Sequence, residues 1–203
     1  MEKHLINSDP FYNFKDVQSD IKSIIHCINL HGDNLVGAEI GVYRGDSFLT
    51  ILQNCPNVSK LYGVDSYEPY ADYLKFGDYD GKTPAYCVDK KQIEYAKLTS
   101  YHHQKYSGHE EKIVFYEMDS NEAAQKVEDK SLDFIFIDTY MTFEQAKNDL
   151  EVWYPKVKDG GIFAGHDWNC PAIELAVMGF RETNNLQSQM STYDNTWIWY
   201  KNK

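Results

Sequence analysis

The stretch Leu35-Val36-Gly37-Ala38-Glu39-Ile40-Gly41-Val42-Tyr43-Arg44-Gly45-Asp46-Ser47 constrains the fold more than any other part of the chain. Its apolar run, Leu35 to Ile40, has the length of a buried strand. Gly41 and Gly45 follow, and Asp46-Ser47 opens an apolar-periodic segment through Phe48, Leu49, Ile51 and Leu52, the pattern of a helix. Strand, glycine turn and helix in that order leave backbone amides open to a polar ligand, with no glycine side chain to block the approach. Alone, the loop also suits a tight turn that binds nothing. The next apolar run adds weight: Leu61-Tyr62-Gly63-Val64 ends in Asp65, near the ~20-residue offset at which nucleotide-binding folds place an acid for ribose hydroxyls.

The same alternation continues. Val17, Ile21, Ile24, Ile25 and Ile28 predict an amphipathic helix over 16–30, ended by His31-Gly32-Asp33-Asn34. A third strand is expected over 113–117, then Asp119-Ser120 capping a helix over 121–127. The run over 132–137 is apolar on both faces, as a central parallel strand is. A helix over 143–152, a turn at Asp159-Gly160-Gly161, a fifth strand over 162–165 and a helix over 171–181 complete the series. Segments 186–190 and 197–200, around Tyr193-Asp194-Asn195-Thr196, read as a terminal hairpin. The fold class is α/β, as one domain over 1–203.

Two segments stand outside that series. Residues 1–15 gather His4, Phe11, Tyr12 and Phe14 around Pro10, an arm expected to pack on the domain or on a second subunit, which makes a homodimer reasonable. Residues 66–111 hold eight of the sixteen tyrosines and exceed what a βαβ crossover needs. They read as a cap or lid with one helix over 89–106, a surface excursion or dimer contact being the alternative.

Ligands of open α/β sheets bind beyond the carboxyl ends of the strands. Residues 39–45, Asp65, Asp119-Ser120, Asp138 and 165–168 all fall there, so five strand ends converge on one rim. The formal charge of −11 suits no phosphate backbone, which excludes nucleic acid as the expected partner. Cys27, Cys55, Cys87 and Cys170 show neither metal nor disulfide spacing and read as free thiols in the cytoplasm. No apolar run is long enough for a membrane span, and no leader segment is expected.

Glu39-x-Gly41-x-x-x-Gly45-x-Ser47 followed by Gly63-Val-Asp65 resembles the first two motifs of class I S-adenosylmethionine-dependent methyltransferases. Ile137-Asp138-Thr139-Tyr140, Asp149-Leu150 and Gly160-Gly161-Ile162-x-x-Gly165-His166-Asp167-Trp168 resemble their small-substrate branch, the macrolide-sugar and capsule-glycan O-methyltransferases. The resemblance spans about residues 33–180. It implies a doubly wound, mostly parallel seven-stranded sheet with an antiparallel terminal hairpin. It also implies an enzyme that methylates a small polar acceptor, such as a sugar or sugar nucleotide in glycan or natural-product assembly. Glu39, Gly41, Tyr43, Gly45 and Ser47 would then surround the methionine part of the cofactor, Asp65 would take the ribose, and Asp119, Ser120 and Asp138 would complete its seat. Asp138, His166 and Asp167 form the candidate catalytic cluster, and Tyr67, Tyr140 and Trp168 the acceptor wall. In relatives, positions like Asp138 and Asp167 hold Mg²⁺, but His166 suits a hard cation poorly, and Met141 stands where many relatives have a histidine. Metal-assisted and metal-free proton removal both stay open at this point.

Two other functions are weighed against this one. A dinucleotide-dependent oxidoreductase would need G-x-G-x-x-G, and Tyr43 fills the place of its second glycine. Tyr101-x-x-x-Lys105 has the spacing of an oxidoreductase dyad but falls in the insert. A non-catalytic interaction protein on the same fold is the remaining alternative.

Overall fold

The structure, a computed structural model, describes residues 21–69, 89–193 and 195–202. The arm over 1–15 and the tyrosine-rich part of the insert, 70–88, lie outside the described residues. The elements are α1 (Lys22–Leu30), β1 (Leu35–Ile40), α2 (Asp46–Asn54), β2 (Val58–Asp65), α3 (Lys90–Tyr106), β3 (Ile113–Glu117), α4 (Ser120–Ala124), β4 (Leu132–Ile137), α5 (Phe143–Trp153), β5 (Val157–Gly165), α6 (Pro171–Thr183), β6 (Met190–Tyr193) and β7 (Thr196–Tyr200).

The strands form one seven-stranded sheet in the order β3-β2-β1-β4-β5-β7-β6. The first five run parallel, and β7 pairs antiparallel with both β5 and β6. Chain order reverses between β1 and β4, so the crevice of this sheet opens above β1, where the glycine loop begins. Alternation along β4 shows why the sheet is covered on both faces. Ile135 and Ile137 join Ala38, Ile40, Leu150, Trp153 and Phe163 in one buried cluster, while Phe134 and Phe136 join Phe48, Ile51, Leu52 and Ile162 in the other. Burying apolar side chains on both faces at about 25 cal/mol per Å² is what makes this central strand stable. Cys27, Cys55 and Cys170 are free thiols. Among the described residues no helix is long and apolar enough to cross a membrane.

Three boundaries differ from the sequence-based expectation. Asp159-Gly160-Gly161, expected as a turn before β5, lies inside that strand as a bulge: the β4–β5 register jumps from Leu132↔Val157 to Phe134↔Ile162. Gly160, at φ 83°, donates to Lys201 O at 2.8 Å, and Lys201 N donates to Gly161 O at 2.9 Å, so the chain after β7 pairs with the bulge. The first hairpin strand begins at Met190 rather than at 186. Arg181, stacked 4.8 Å from the Trp199 ring, donates to the carbonyls of Leu186 and Ser188 and holds those residues against α6. Helix α4 ends at Ala124, and Lys126 and Val127 continue as tight turns bonded to Ala123 and Ala124.

The helix expected in the insert is present. Asp89 caps α3 by accepting from Lys91 N at 2.8 Å, as an N-cap carboxylate does. The helix packs against the outer side of the glycine loop, where His103 Nδ1 lies 3.1 Å from Arg44 O.

Candidate active site

Beyond the carboxyl ends of the strands lies a cleft of about 1050 Å³. That is at the upper end of the ~300–1,000 Å³ range for small-ligand sites. Its floor is the glycine loop. Gly41 has φ 86°, and a Cβ there would stand 2.0 Å from Asp138 O, so a side chain is excluded by backbone sign and by contact. Gly45, at φ 83°, precedes α2, and among the described residues no side chain caps that helix. Its first amides are therefore available to an anionic group such as a carboxylate.

Asp65 organises the loop. Its Oδ2 accepts from Val42 N at 3.0 Å and Tyr43 N at 2.7 Å, and its Oδ1 accepts from Tyr67 N at 2.8 Å. Burial raises its pKa, and the three amides work against that rise by favouring the charged form. Tyr43 and Tyr67 are held at φ 49° and 50°, and Tyr67 donates to Tyr43 O at 3.0 Å. The carboxylate expected to meet a ribose is thus also the anchor of the loop beneath it. Glu39 lies deeper, fully buried, with Ser47 Oγ donating to Oε1 at 2.5 Å. Burial pushes its pKa well above the usual carboxylate range against the Ser47 bond, and Oε2 is buried without a partner.

Asp119 and Ser120 divide their tasks. Asp119 caps α4 through Asn121 N at 2.8 Å. Ser120 Oγ accepts the indole N–H of Trp153 at 2.8 Å and donates to Asp149 at 2.5 Å, so toward a ligand it can only accept. Tyr140, after β4, donates to Glu68 O in the loop after β2 at 2.9 Å, joining the two loops that flank β1.

Asp138, His166 and Asp167 come together as their strand-end positions predict. His166 Nδ1 lies 3.1 Å from Asp167 Oδ1 and 3.6 Å from Asp138 Oδ1. Burial lowers the His166 pKa, but the hydrogen bonds and charges of the two carboxylates outweigh it and raise the imidazole from 6.5 to about 10. One donor atom from each residue lies within 4.8 Å of the others. Two carboxylates and an imidazole nitrogen make a mixed donor set, whereas Mg²⁺ favours six oxygens, so the residues present fit Mg²⁺ poorly.

Gly41, Tyr43, Ser47, Asp65, Tyr67, Asp119, Ser120, Asp138, Tyr140, His166 and Asp167 all line the cleft. Glu39 and Gly45 stand behind its wall. Trp168, expected on the acceptor wall, packs against the core cluster that includes α5 and α6 residues instead. Asp167 at φ 57° turns the chain, and Trp168 N donates to Asn195 O at 3.0 Å. Sequence reading missed Glu117, which lines the cleft and receives Lys97 Nζ at 2.5 Å and the Tyr101 hydroxyl. Its signal was a carboxylate directly at the end of β3.

A doubly wound sheet with a cleft over a glycine loop at its switch point is the place where α/β proteins of this class bind their ligands. A family model described as a methyltransferase domain matches residues 38–168, and the chain belongs to that family. Solved structures share the fold. The O-methyltransferase NovP superposes with TM-score 0.68 at 19% identity, covering 90% of this chain and 79% of its own. CalS11, a calicheamicin methyltransferase, gives 0.62 at 15% identity, covering 91% of this chain and 78% of its own. A Staphylococcus aureus protein assigned as a caffeoyl-CoA O-methyltransferase gives 0.60 at 16% identity, covering 97% of this chain and 87% of its own. Curated protein sequences give no significant match.

Proposed function

We propose that the protein is an S-adenosylmethionine-dependent O-methyltransferase acting on a small polar acceptor, a sugar hydroxyl in glycan or natural-product assembly. The observation that carries this reading is the Asp138–His166–Asp167 cluster in the same cleft as the glycine loop. A hydroxyl nucleophile must lose its proton, and a polar cluster beside the cofactor seat meets that need. The family match and the O-methyltransferase fold neighbours support the same class.

The residues present suit the cofactor. The uncapped start of α2 offers amides to its carboxylate, and the excluded side chain at Gly41 leaves room for backbone contact. Bound there, S-adenosylmethionine would supply a methyl group on a sulfonium, whose C–S electron pair would stay with the sulfur as the acceptor oxygen takes the methyl. Alignment of the acceptor and exclusion of water provide most of the acceleration. His166, with its pKa raised to about 10, is an imidazolium at neutral pH and has no lone pair for the acceptor's proton. Asp138 takes that proton, and the imidazolium keeps Asp138 and Asp167 together. No step needs a metal.

The cleft lining also bears on the acceptor. Among the described residues, Asp46, Asp65, Glu68, Glu117, Asp119, Glu122, Asp138 and Asp167 face it against Arg44 and His166. That excess of negative charge suits a sulfonium and favours an uncharged sugar hydroxyl over a sugar nucleotide.

Calorimetric titration with S-adenosylhomocysteine, with NADH as comparator, tests the reading. Binding of S-adenosylhomocysteine alone is expected. Binding of NADH alone would replace the cofactor class, and binding of neither would favour an interaction protein. An acceptor screen with and without EDTA then tests the metal-free mechanism, and turnover lost to EDTA and restored by Mg²⁺ would overturn it.

A further inference from the structure

Asp149 is fully buried on α5, and the chemistry proposed above does not use it. Its Oδ1 accepts from the Ser120 hydroxyl at 2.5 Å, and its Oδ2 accepts from Thr139 Oγ1 at 2.7 Å and Gln145 Nε2 at 3.0 Å. Chemistry fixes the direction of this chain. An indole N–H can only donate, so Trp153 donates to Ser120 Oγ, and the single Ser120 proton is committed to Asp149. Burial raises the pKa of Asp149, and the three donors it meets work against that rise by favouring the carboxylate.

Burying a carboxylate is unfavourable unless its oxygens are bonded, and an apolar side chain would fill the inner face of α5 at less cost. What the carboxylate adds is position. The two hydroxyls it holds belong to different walls of the cleft: Ser120 opens α4 after β3, and Thr139 follows Asp138 after β4. The Asp138 backbone is also tied to the end of β1, immediately before the glycine loop, through its N–H to Ile40 O at 2.7 Å.

We propose that Asp149 is a positioning residue that ties the β3–α4 wall of the cofactor seat to the β4 loop carrying Asp138, so that cofactor and proton acceptor keep a fixed spacing. The ligand's identity in this inference rests on the methyltransferase reading; the network itself does not. Asp149→Asn keeps the size but places an N–H₂ group against hydroxyl and amide donors, leaving at least one without an acceptor.

The test pairs two measurements on Asp149→Asn, with far-UV circular dichroism and melting as the check of folding. S-adenosylhomocysteine affinity should weaken about tenfold, the scale of one orphaned buried hydrogen bond. The amide resonances of Asp138 and Thr139 and the ring resonances of His166 should shift in the ligand-free protein. Ser120→Ala should weaken cofactor affinity non-additively with Asp149→Asn, and Thr139→Val should reproduce the resonance shifts with affinity less affected, a division that a merely stabilising network would not give. A folded Asp149→Asn that binds S-adenosylhomocysteine within twofold of wild type overturns the inference. If the wild type itself binds none, the methyltransferase reading has failed, and unshifted resonances in the variant overturn the inference separately. If Asp149→Asn does not fold, the Ser120→Ala and Thr139→Val pair decides by the same two measurements.

Discussion

His166 offers the sharpest quantitative test, because its position between two carboxylates sets both a stability and a rate. Raising an imidazole from 6.5 to about 10 corresponds to a ceiling of about 5 kcal/mol at ~1.36 kcal/mol per pH unit. The ring keeps 17% of its side-chain surface exposed, so solvent screening brings the working figure to about 3 kcal/mol. The sign follows from linkage: the folded pKa is raised, so the stabilisation is complete below about pH 6.5 and is lost as pH rises to about 10. Denaturant unfolding of wild type and His166→Gln at pH 6 and above pH 10 measures it, since taking the difference cancels the titration of other groups. The gap between the two proteins should shrink by about 3 kcal/mol across that window. Turnover gives the second reading. An imidazolium that holds Asp138 in place supports activity through neutral pH, whereas an imidazole acting as base would gain activity through pH 6.5. A His166 ring titrating near 6.5 by NMR, or turnover rising through that pH in wild type only, would refute the assignment.

Other substitutions test the remaining contacts. Gly41→Ala places a Cβ 2.0 Å from the Asp138 carbonyl in a left-handed backbone and should cost at least about 3 kcal/mol in denaturant unfolding, together with cofactor binding. Unchanged stability would mean that the loop adopts another path. Asp65→Ala removes the acceptor for three loop amides, and S-adenosylhomocysteine affinity should fall by about 1.5–3 kcal/mol by calorimetry. An unaltered affinity would remove Asp65 from the cofactor seat. Tyr140→Phe removes the bond to Glu68 O, so stability should drop by about 1 kcal/mol while the acceptor KM rises and cofactor affinity holds. Steady-state kinetics with each substrate varied in turn separates these effects.

What the sequence made legible is what short-range pattern encodes. β4 begins and ends where its apolar run does, β3 runs one residue past its own to Glu117, and α3 starts at its Asp89 cap, because period and capping act within a few residues. Asp159-Gly160-Gly161 misled because the partner that keeps it in β5 is Lys201, far along the chain, and a glycine pair looks the same in a turn and in a bulge. The hairpin start was hidden for a similar reason: Arg181 on α6 claims the carbonyls that an earlier strand would have used. In the site, strand-end position was enough to bring Asp65, Asp138, His166 and Asp167 to one cleft, since topology alone puts strand ends together. The task of each group was not legible, because it depends on which donors reach it. Asp65 faces three amides, Glu39 meets Ser47, and Asp149, one polar residue among several on an amphipathic helix, turns inward to two hydroxyls. Trp168 shows the limit most plainly. It directly follows the candidate cluster in sequence, yet one residue with positive φ, Asp167, separates a side chain in the cleft from one packed against the core.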